Sequence, residues 1–497
     1  MPKSTKTPVD TTVSEEKVAE QKVIEHNSKH APFRGTPVEA AYLNKPPHLR
    51  TTEDRYQAGR ALRELCARES HAEYTVDRHG RDNPIDVLIQ SNKGRVESLL
   101  PVRYGRMLST PFAFFRGSAM LMADDLASTP STDYAVQACG DCHLLNFGAF
   151  ATPERNIVFD VNDFDETYPA PWEWDVKRLA ASFVIASHHN EHDLSDGVAA
   201  AARMVECYRD KLYELAALPA LQAWYAYLDY KNLIELTDDA KLKKRRLKVL
   251  AAAMDRDHYA EFIKLGELTG GKPRIKDQPP LIYHEKDADS PEHIAKVRKT
   301  IDLYRQSLPV NVKVLFDRYE FADSARKVVG VGSVGTVCAI ALFFNAENDP
   351  LFLQVKEARQ SVLEPYSSFR TTQTNGARVV IGQRIMQSSS DVFLGHYVGE
   401  KNKHYYVRQL RDVKIRPMVE IFTPANMLNY ARNCGWALAL AHSRSGDAAI
   451  IAGYIGKGKK FPKAIGQFAR SYFDQNLSDH KSLITAIRDG IIDANPL

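Results

Sequence analysis

A cluster of polar residues between two apolar stretches constrains this 497-residue chain most strongly. Residues 140–148 read GDCHLLNFG, and Asp163 and Asp165 follow beyond a second apolar stretch. An aspartate, an asparagine five residues later and a further aspartate after a hairpin are the groups that phosphoryl transfer requires. Asp141 can orient an attacking hydroxyl and accept its proton. Asn146 and Asp163 can hold Mg²⁺ against nucleotide phosphates.

A glycine-rich segment much further along the chain predicts contacts to a nucleotide. Residues 330–337 read GVGSVGTV, and an apolar run leads from there to Lys356. Glycines let backbone N–H groups approach phosphates, and a lysine at the end of the next strand can pair with them. The β-branched and aromatic residues after the glycines predict a strand rather than the helix of a Rossmann loop. The predicted nucleotide-binding residues are Gly330, Gly332, Ser333, Gly335, Lys356 and Gln409.

From about residue 103 to about residue 475 the chain resembles the bacterial domain-of-unknown-function 2252 family. The motifs that carry this resemblance are PFAFFRG, GDCH, NDFDE, PWEWD, VKEA, GQR, VRQL and AHSRSGD. The loop also resembles the aminoglycoside and choline kinase branch of the protein-kinase-like fold, which has HGDxHxxN followed by an (I/V)DF(D/E) strand. Cys139 stands where that branch has histidine. Trp174 and Asp175 take the place of its helical aromatic–aspartate pair.

The resemblance implies a role for each of these residues. Asp141 is the expected catalytic base, with His143 bracing the loop and Lys356 pairing with phosphates. Asp175 is expected to anchor the loop backbone from the following helix. The expected metal ligands are Asn146, Asp163 and Asp165, with Glu166 nearby. The usual glutamate partner of the lysine is not evident, and Glu364 and Gln383 are the candidates. Arg116 is a candidate contact to substrate or phosphate.

The order of the motifs is reversed relative to an ordinary kinase, because the catalytic loop precedes the glycine loop. We therefore predict an α+β fold, namely a circularly permuted protein-kinase-like two-lobed fold with extra helices. Permutation is tolerated where termini lie close together on a surface. The prediction requires Lys356 to lie within about 10 Å of Asp163. It also requires the predicted helix over residues 424–443 to end close to Cys139. Two unrelated domains with coincidental motifs are the alternative.

Composition and the motifs divide the chain into six segments. Residues 1–49 are rich in Lys, Glu, Thr and Pro, which predicts a disordered tail. The remaining segments are a helical lead-in (50–134), a kinase-like C-lobe (135–267), a Gly- and Pro-rich linker (268–291), a β-rich nucleotide flap like an N-lobe (292–415) and a helical segment that completes the C-lobe (416–497).

These features predict an ATP- and Mg²⁺-dependent phosphotransferase that acts on a hydroxyl of a small molecule. The alternatives are a nucleotidyl transferase with the same site and a nucleotide-binding regulator without turnover. Residues 139–143 also spell CxxCH, the haem-attachment pattern, but the sequence shows no export signal. Six scattered cysteines predict free thiols and a cytoplasmic protein.

Charge and hydropathy narrow the range of partners. The formal net charge is +4, and no basic motif of a nucleic-acid-binding fold is present. No apolar run reaches the roughly 18 residues that a membrane span needs. The expected partner is therefore a small-molecule substrate, with no membrane and no evidence for nucleic acid.

Overall fold

The computed structural model describes residues 45–255, 258–328, 330, 332, 334–410 and 413–495. Ser333 and residues 1–44 of the predicted tail lie outside the described residues. The α-helices of the described chain are α1 (Thr52–Leu65), α2 (Pro84–Gln90), α3 (Leu100–Leu108), α4 (Pro111–Gly117), α5 (Ala119–Ala127), α6 (Trp172–His189), α7 (Leu194–Ala217), α8 (Ala220–Tyr225), α9 (Tyr230–Glu235), α10 (Ala240–Met254), α11 (His258–Leu265), α12 (Pro291–Ser307), α13 (Val310–Phe316), α14 (Asn375–Met386), α15 (Pro424–Ser443), α16 (Ala448–Ile455) and α17 (Lys460–Arg488).

The strands form several small sheets and one large one. They are β1 (Ala135–Ala138), β2 (Phe147–Ala151), β3 (Ile157–Val161), β4 (Tyr168–Pro171), β5 (Gly266–Thr269), β6 (Lys272–Ile275), β7 (Ile282–Tyr283), β8 (Glu320–Lys327), β9 (Cys338–Phe344), β10 (Pro350–Glu357), β11 (Gly395–Val398), β12 (His404–Gln409) and β13 (Lys414–Ile415). The chain is therefore an α+β protein, as predicted.

A helical body forms around α6, which is buried from Trp172 to Ser187. Residues 179–187 are small or apolar, which suits a helix that is covered on all sides, and the buried Lys177 and Arg178 bond to Thr129 and Asp141. Helices α7, α15 and α17 pack around it. At its start, the Trp172 ring stacks on Tyr208 of α7 with centroids 5.9 Å apart. The functional loop described below lies on this rigid base.

Side chains cap the starts of several helices and so fix where the loops end. A side-chain oxygen before the first turn accepts backbone N–H bonds, which satisfies donors that have no partner inside the helix. This arrangement is present at Thr51, Asn83, Thr110, Thr374, Thr423 and Asp447, before α1, α2, α4, α14, α15 and α16.

A six-stranded antiparallel sheet in the order β11-β12-β10-β9-β8-β7 forms the second part of the molecule. Helices α12 and α13 cover one face, with an apolar cluster that includes Tyr304, Phe316 and Leu353. Alternation along the strands places Lys356 and Gln354 on the opposite face. Lys356 is opposite Tyr406 in the sheet register, and Gln354 is opposite Arg408. Apolar residues, among them Ile340 and Phe352, cover the rest of that face, and its polar part around Lys356 contacts the helical body.

The stretch 268–291 differs from the predicted linker. Gly270 and Gly271 adopt φ values of +59° and +77° and form the turn between β5 and β6. Strand β7 then pairs with β8 as the edge of the six-stranded sheet. Glycine and proline occur in the turns of β-hairpins and also in linkers, so composition alone does not distinguish the two. Among the described helices, none combines the length and apolar composition that crossing a bilayer would require.

Candidate active site

The loop between β1 and β2 is anchored by Asp175 in the first turn of α6. The backbone N–H groups of Cys139 and Gly140 donate to its two carboxylate oxygens at 2.6 and 3.0 Å. His442, near the end of α15, lies 3.2 Å from the same carboxylate through Nε2, and its Nδ1 is 2.8 Å from the Tyr208 hydroxyl. Asp175 is buried, so these bonds satisfy a carboxylate that water does not reach. The anchoring contact predicted for Asp175 is present.

The position of Gly140 requires glycine. Its φ is +84°, in the left-handed region that other residues rarely adopt. A Cβ atom at this position would lie 2.2 Å from the carbonyl oxygen of Glu166. The loop therefore packs directly against the backbone that follows Asp165.

Asp141 is fixed by an arginine from α6. Nε of Arg178 donates to Oδ1 of Asp141 at 2.8 Å, and Nη2 of the same guanidinium donates to the same oxygen. The Phe115 ring lies 4.4 Å from the guanidinium carbon and supports it as a cation–π partner. The other carboxylate oxygen, Oδ2, lies 3.9 Å from Nε2 of His143. Asp141 therefore has one oxygen held by the protein.

His143 and Asn146 hold the shape of the loop. Burial, together with the charge of Arg116, places the pKa of His143 well below its usual value, so its ring is neutral. Asn146 donates from Nδ2 to the carbonyl oxygen of Asp141 at 2.6 Å. This bond places the side chain of Asn146 beside the backbone of Asp141.

Lys356 and two aspartates meet where the sheet contacts the helical body. Nζ of Lys356 lies 2.5 Å from Oδ2 of Asp165 and 3.8 Å from Oδ1 of Asp163. The second distance is within the limit that the permuted arrangement predicted. The Tyr406 hydroxyl donates to Oδ1 of Asp165 at 2.5 Å. Asp165 thus accepts hydrogen bonds on both oxygens.

The two aspartates carry their charge in different surroundings. Burial, then the negative charge of Asp165, raises the pKa of Asp163. Burial opposes ionisation of Asp165 as well, but the charge of Lys356 and hydrogen bonds from Lys356 and Tyr406 outweigh it and lower the pKa. Asp165 is therefore the paired carboxylate, and Asp163 is the one whose negative charge is less compensated.

The predicted partners of Lys356 were wrong. Gln383 donates instead to Gln387 at 2.9 Å, and Gln387 reaches the carbonyl oxygen of Val161 at 2.6 Å. Glu364 forms no ion pair with Lys356 among the described residues, since it lies in a turn closed by its bond to Ser361. The carboxylate of Asp165 is already within reach of Lys356, so no helix glutamate is needed.

The glycine-rich segment contacts the lead-in helices. Gly330 and Gly335 have φ values of +47° and +85°. The carbonyl oxygen of Gly335 accepts from the backbone N–H of Val96 at 2.8 Å, and Arg106 donates to the carbonyl oxygen of Gly330 at 2.7 Å. A Cβ atom at Gly332 would lie 3.2 Å from the carbonyl oxygen of Arg116. Residues before the motifs therefore cover this segment.

One cavity of about 110 Å³ joins the two distant motifs. From the predicted site, Asp141, Asn146, Asp163, Asp165 and Gly332 line it. Gly330, Gly335, His143 and Lys356 do not line this cavity. Gln409 does not line the cavity either. It lies on β12, and its backbone N–H donates to a carboxylate oxygen of Asp391.

Sequence reasoning missed several residues that shape this site. Arg178 lies three residues after Asp175 on the same helix, and this spacing places both on one face, which could have identified it. Gln354 and Arg408 gave no such signal, because their contact depends on the register between β10 and β12. Nε of Arg408 donates to Oε1 of Gln354 at 3.0 Å, and Nη1 is 3.3 Å from the carbonyl oxygen of Asn162.

Comparison with known proteins identifies one family. Residues 95–486 match the family described as "Uncharacterized protein conserved in bacteria (DUF2252)". This match covers well over half of the chain, so the chain belongs to that family. No curated protein and no solved structure gave a significant match.

Proposed function

We propose that this DUF2252 protein is a Mg²⁺-dependent phosphotransferase that moves a phosphoryl group from ATP to a hydroxyl of a small molecule. The observation that carries the proposal is the shared cavity. It joins Asp141, Asn146 and Asp163 from the first motif with Gly332 from the second. Phosphoryl transfer depends on placing a hydroxyl, a metal and phosphates in line, and these residue types supply those contacts.

Asp141 is the residue proposed to receive the acceptor. Its side chain is 22% exposed, and Arg178 holds only Oδ1. The acceptor hydroxyl would therefore bond to Oδ2, which can orient it and take its proton. The ion pair with Arg178 fixes the direction of the carboxylate, and orientation is a large part of catalysis in reactions of this class.

The donors at the cavity fit Mg²⁺. Asn146 and Asp163 offer amide and carboxylate oxygens, which are the hard ligands that this ion prefers. Asp163 is 38% exposed and its charge is only partly balanced by Lys356 at 3.8 Å. Asp165 is held by Lys356 and Tyr406, so we assign it to positioning the lysine rather than to direct metal binding. When bound, Mg²⁺ neutralises charge on the phosphates.

The permuted kinase-like arrangement is part of this proposal. Helix α15 ends beside β1, where Ser445 accepts from the backbone N–H of Gln137 at 2.9 Å. An unpermuted chain would pass from that helix into the loop at Cys139. This proximity and the contact between Lys356 and Asp163 support the permutation. We also propose a cytoplasmic location, which suits ATP chemistry and six buried free thiols.

The competing candidate is a nucleotide-binding regulator without turnover. Gln354 stands two residues before Lys356, where the kinase signature has alanine, and its amide is bound by Arg408. Side chains thus occupy part of the face of the sheet that points toward the helical body. This observation favours the regulator, whereas the complete set of Asp141, Asn146 and Asp163 favours the enzyme.

Isotope transfer separates these functions. Purified protein is incubated with Mg²⁺, a small-molecule cell extract and ATP labelled at either the γ- or the α-phosphate. Transfer of γ-label to a hydroxyl compound supports the phosphotransferase, and transfer of α-label supports the nucleotidyl transferase. The absence of both, with Mg²⁺-ATP still bound, supports the regulator. An Asp141→Asn variant is the control for contaminating kinases.

A further inference from the structure

We infer that Arg95, Arg103, Arg116 and Arg359 form a binding site for a phosphate-type anion on the second wall of this cavity. All four line it. Three of them come from the lead-in that precedes the catalytic loop, and the fourth follows β10. The inference deepens the proposed function and rests on it for the role of the anion, but anion binding can be measured without turnover.

Arg116 is the strongest element of this site. Its guanidinium makes no hydrogen bond to any described residue, and its Nε is buried without a partner. A buried donor without an acceptor costs about 1–3 kcal/mol, and more when the group is charged. Burial is also the main cause that lowers its pKa, with the charge of Asp141 opposing it. A bound anion would supply the missing acceptor.

Arg103 is held rigidly in the same wall. It is 1% exposed. Nη1 donates to Asn92 at 2.6 Å, Nη2 donates to the carbonyl oxygen of Gly117 at 3.0 Å, and Nε is buried without a partner. These neutral acceptors orient the group but do not balance its charge. Burial accordingly lowers the pKa of Arg103 to about 10.

Arg95 and Arg359 bind the same short segment. Nε of Arg95 and Nη1 of Arg359 both donate to the carbonyl oxygen of Ser91, each at 3.2 Å. Nη1 of Arg95 reaches the carbonyl oxygen of Val334 at 2.6 Å, and Nη2 of Arg359 reaches that of Lys93 at 2.5 Å. Burial, followed by the charges of Arg103 and Arg359, lowers the pKa of Arg95 to about 9. The positive charges of Arg95, Arg103 and Arg359 therefore oppose one another.

None of the four arginines forms an ion pair with a described residue, although the charge of Asp141 acts on Arg116 and that of Glu166 acts on Arg95. The acids that line the cavity have other partners: Asp141 pairs with Arg178, Asp165 with Lys356 and Glu357 with Lys403. Asp163 lies 3.8 Å from Lys356, and Glu166 accepts from the backbone N–H of Val362 at 2.8 Å. The contrast is Arg81, a buried arginine that pairs with two carboxylates at 2.7 and 2.8 Å. Buried charges are normally paired, so one buried and three half-buried arginines without an ion pair indicate a missing anion.

The chemistry and the size fit a phosphoryl group. Guanidinium groups bind phosphate oxygens with paired N–H donors, more tightly than they bind neutral acceptors. The cavity of about 110 Å³ is well above the roughly 10–15 Å³ that one water needs. It has room for a phosphoryl group. The phosphoryl group would belong either to the nucleotide or to a phosphorylated acceptor.

Calorimetric titration with tripolyphosphate, without Mg²⁺ or nucleotide, tests the site. We expect Arg116→Gln and Arg359→Gln each to weaken binding at least about tenfold, since each removes charge-assisted hydrogen bonds. Arg116→Lys should retain part of the affinity. The matched control is Arg444→Gln, because Arg444 also bonds only to carbonyl oxygens, at 2.8 and 2.6 Å, but lies outside the cavity. Thermal unfolding of each variant checks the fold.

The outcomes separate this inference from the proposed function. Equal tripolyphosphate affinity in wild type, Arg116→Gln and Arg359→Gln overturns the site, whether or not the protein transfers phosphate. Tripolyphosphate binding that depends on the arginines, without any phosphate transfer, supports the anion site and contradicts the phosphotransferase.

The source of the phosphoryl group is tested with ATP. If it belongs to the nucleotide, ATP displaces tripolyphosphate and Arg116→Gln weakens ATP binding. If it belongs to the acceptor, inorganic phosphate still binds to the ATP-saturated protein and the ATP affinity of Arg116→Gln is unchanged. Either result supports the site.

Discussion

The ammonium group of Lys356 donates to Oδ2 of Asp165 at 2.5 Å, although 191 residues separate the two in the chain. In protein kinases the corresponding lysine pairs with a glutamate on a helix. Here the partner lies two residues beyond the expected metal ligand Asp163. The ion pair therefore links the six-stranded sheet to the loop after β3.

Loss of this ion pair should destabilise the fold. Asp165→Asn leaves Lys356 with only the more distant Asp163, at 3.8 Å. Breaking a largely buried pair by removing one partner costs about 3 kcal/mol or more. Urea unfolding followed by circular dichroism measures the change. The control Asp317→Asn breaks an exposed pair with Arg305, and we expect a much smaller loss because water screens exposed pairs. Equal effects of the two variants would contradict the structural role of Asp165.

Replacement of Asp141 should separate catalysis from binding. Asp141→Asn keeps an oxygen that can accept from Arg178 but loses the ability to take a proton. We expect ATP affinity within a few-fold of wild type and a loss of about 10²–10⁴ in the rate of transfer. Initial rates with γ-labelled ATP measure the effect. Transfer at the wild-type rate would show that Asp141 is not the base.

The anchor of the catalytic loop should be essential for its shape. Asp175→Ala removes the acceptor for the N–H groups of Cys139 and Gly140 and for His442. We expect a loss of about 3 kcal/mol or more, since buried donors would be left without partners. Urea unfolding measures it, with the exposed Asp489→Ala as control. A loss below 1 kcal/mol would mean that the loop does not depend on this carboxylate.

Stability should fall as the pH is lowered below about 6.5. Burial, followed by the charge of Lys177, lowers the pKa of His71 to about 2 in the folded protein. The unfolded chain, with an ordinary pKa near 6.5, therefore binds the extra proton, and stability present above that pH is lost below it. One histidine contributes a slope of about 1.4 kcal/mol per pH unit.

Comparison with a His71→Gln variant isolates the contribution of His71 to the pH dependence of stability. Burial raises the pKa of Glu173, so the folded protein also takes up a proton and offsets part of the loss. His71→Gln should therefore show a shallower fall in unfolding free energy than wild type between pH 6.5 and 5. Identical slopes would contradict a neutral buried His71.

Local sequence patterns predicted much of the fold and part of the site. The limits of α15 were predicted as observed, because a Thr-Pro helix start marks its first turn. The contact of Asp175 with the loop followed from the resemblance to kinases. These features depend on neighbours close in sequence or on a known motif.

The parts that sequence could not predict depend on register and on long-range packing. The contact between Gln354 and Arg408 exists only because β10 and β12 pair in one register. Arg95 gave no functional signal in the sequence, and it reaches the cavity because it bonds to the carbonyl oxygen of Val334 in the distant glycine-rich segment. The stretch 268–291 reads as a linker because a β-hairpin and a linker share their turn residues.

Calorimetric titration with Mg²⁺-ATP tests the central claim most directly, which is that Asp163 holds the metal of a nucleotide in this cavity. Wild type should bind Mg²⁺-ATP, and Asp163→Asn should bind it at least about tenfold more weakly, with an unchanged unfolding temperature. The exposed Asp474→Asn on α17 should bind like wild type. Equal affinity of wild type and Asp163→Asn, or no binding by wild type, would contradict the account.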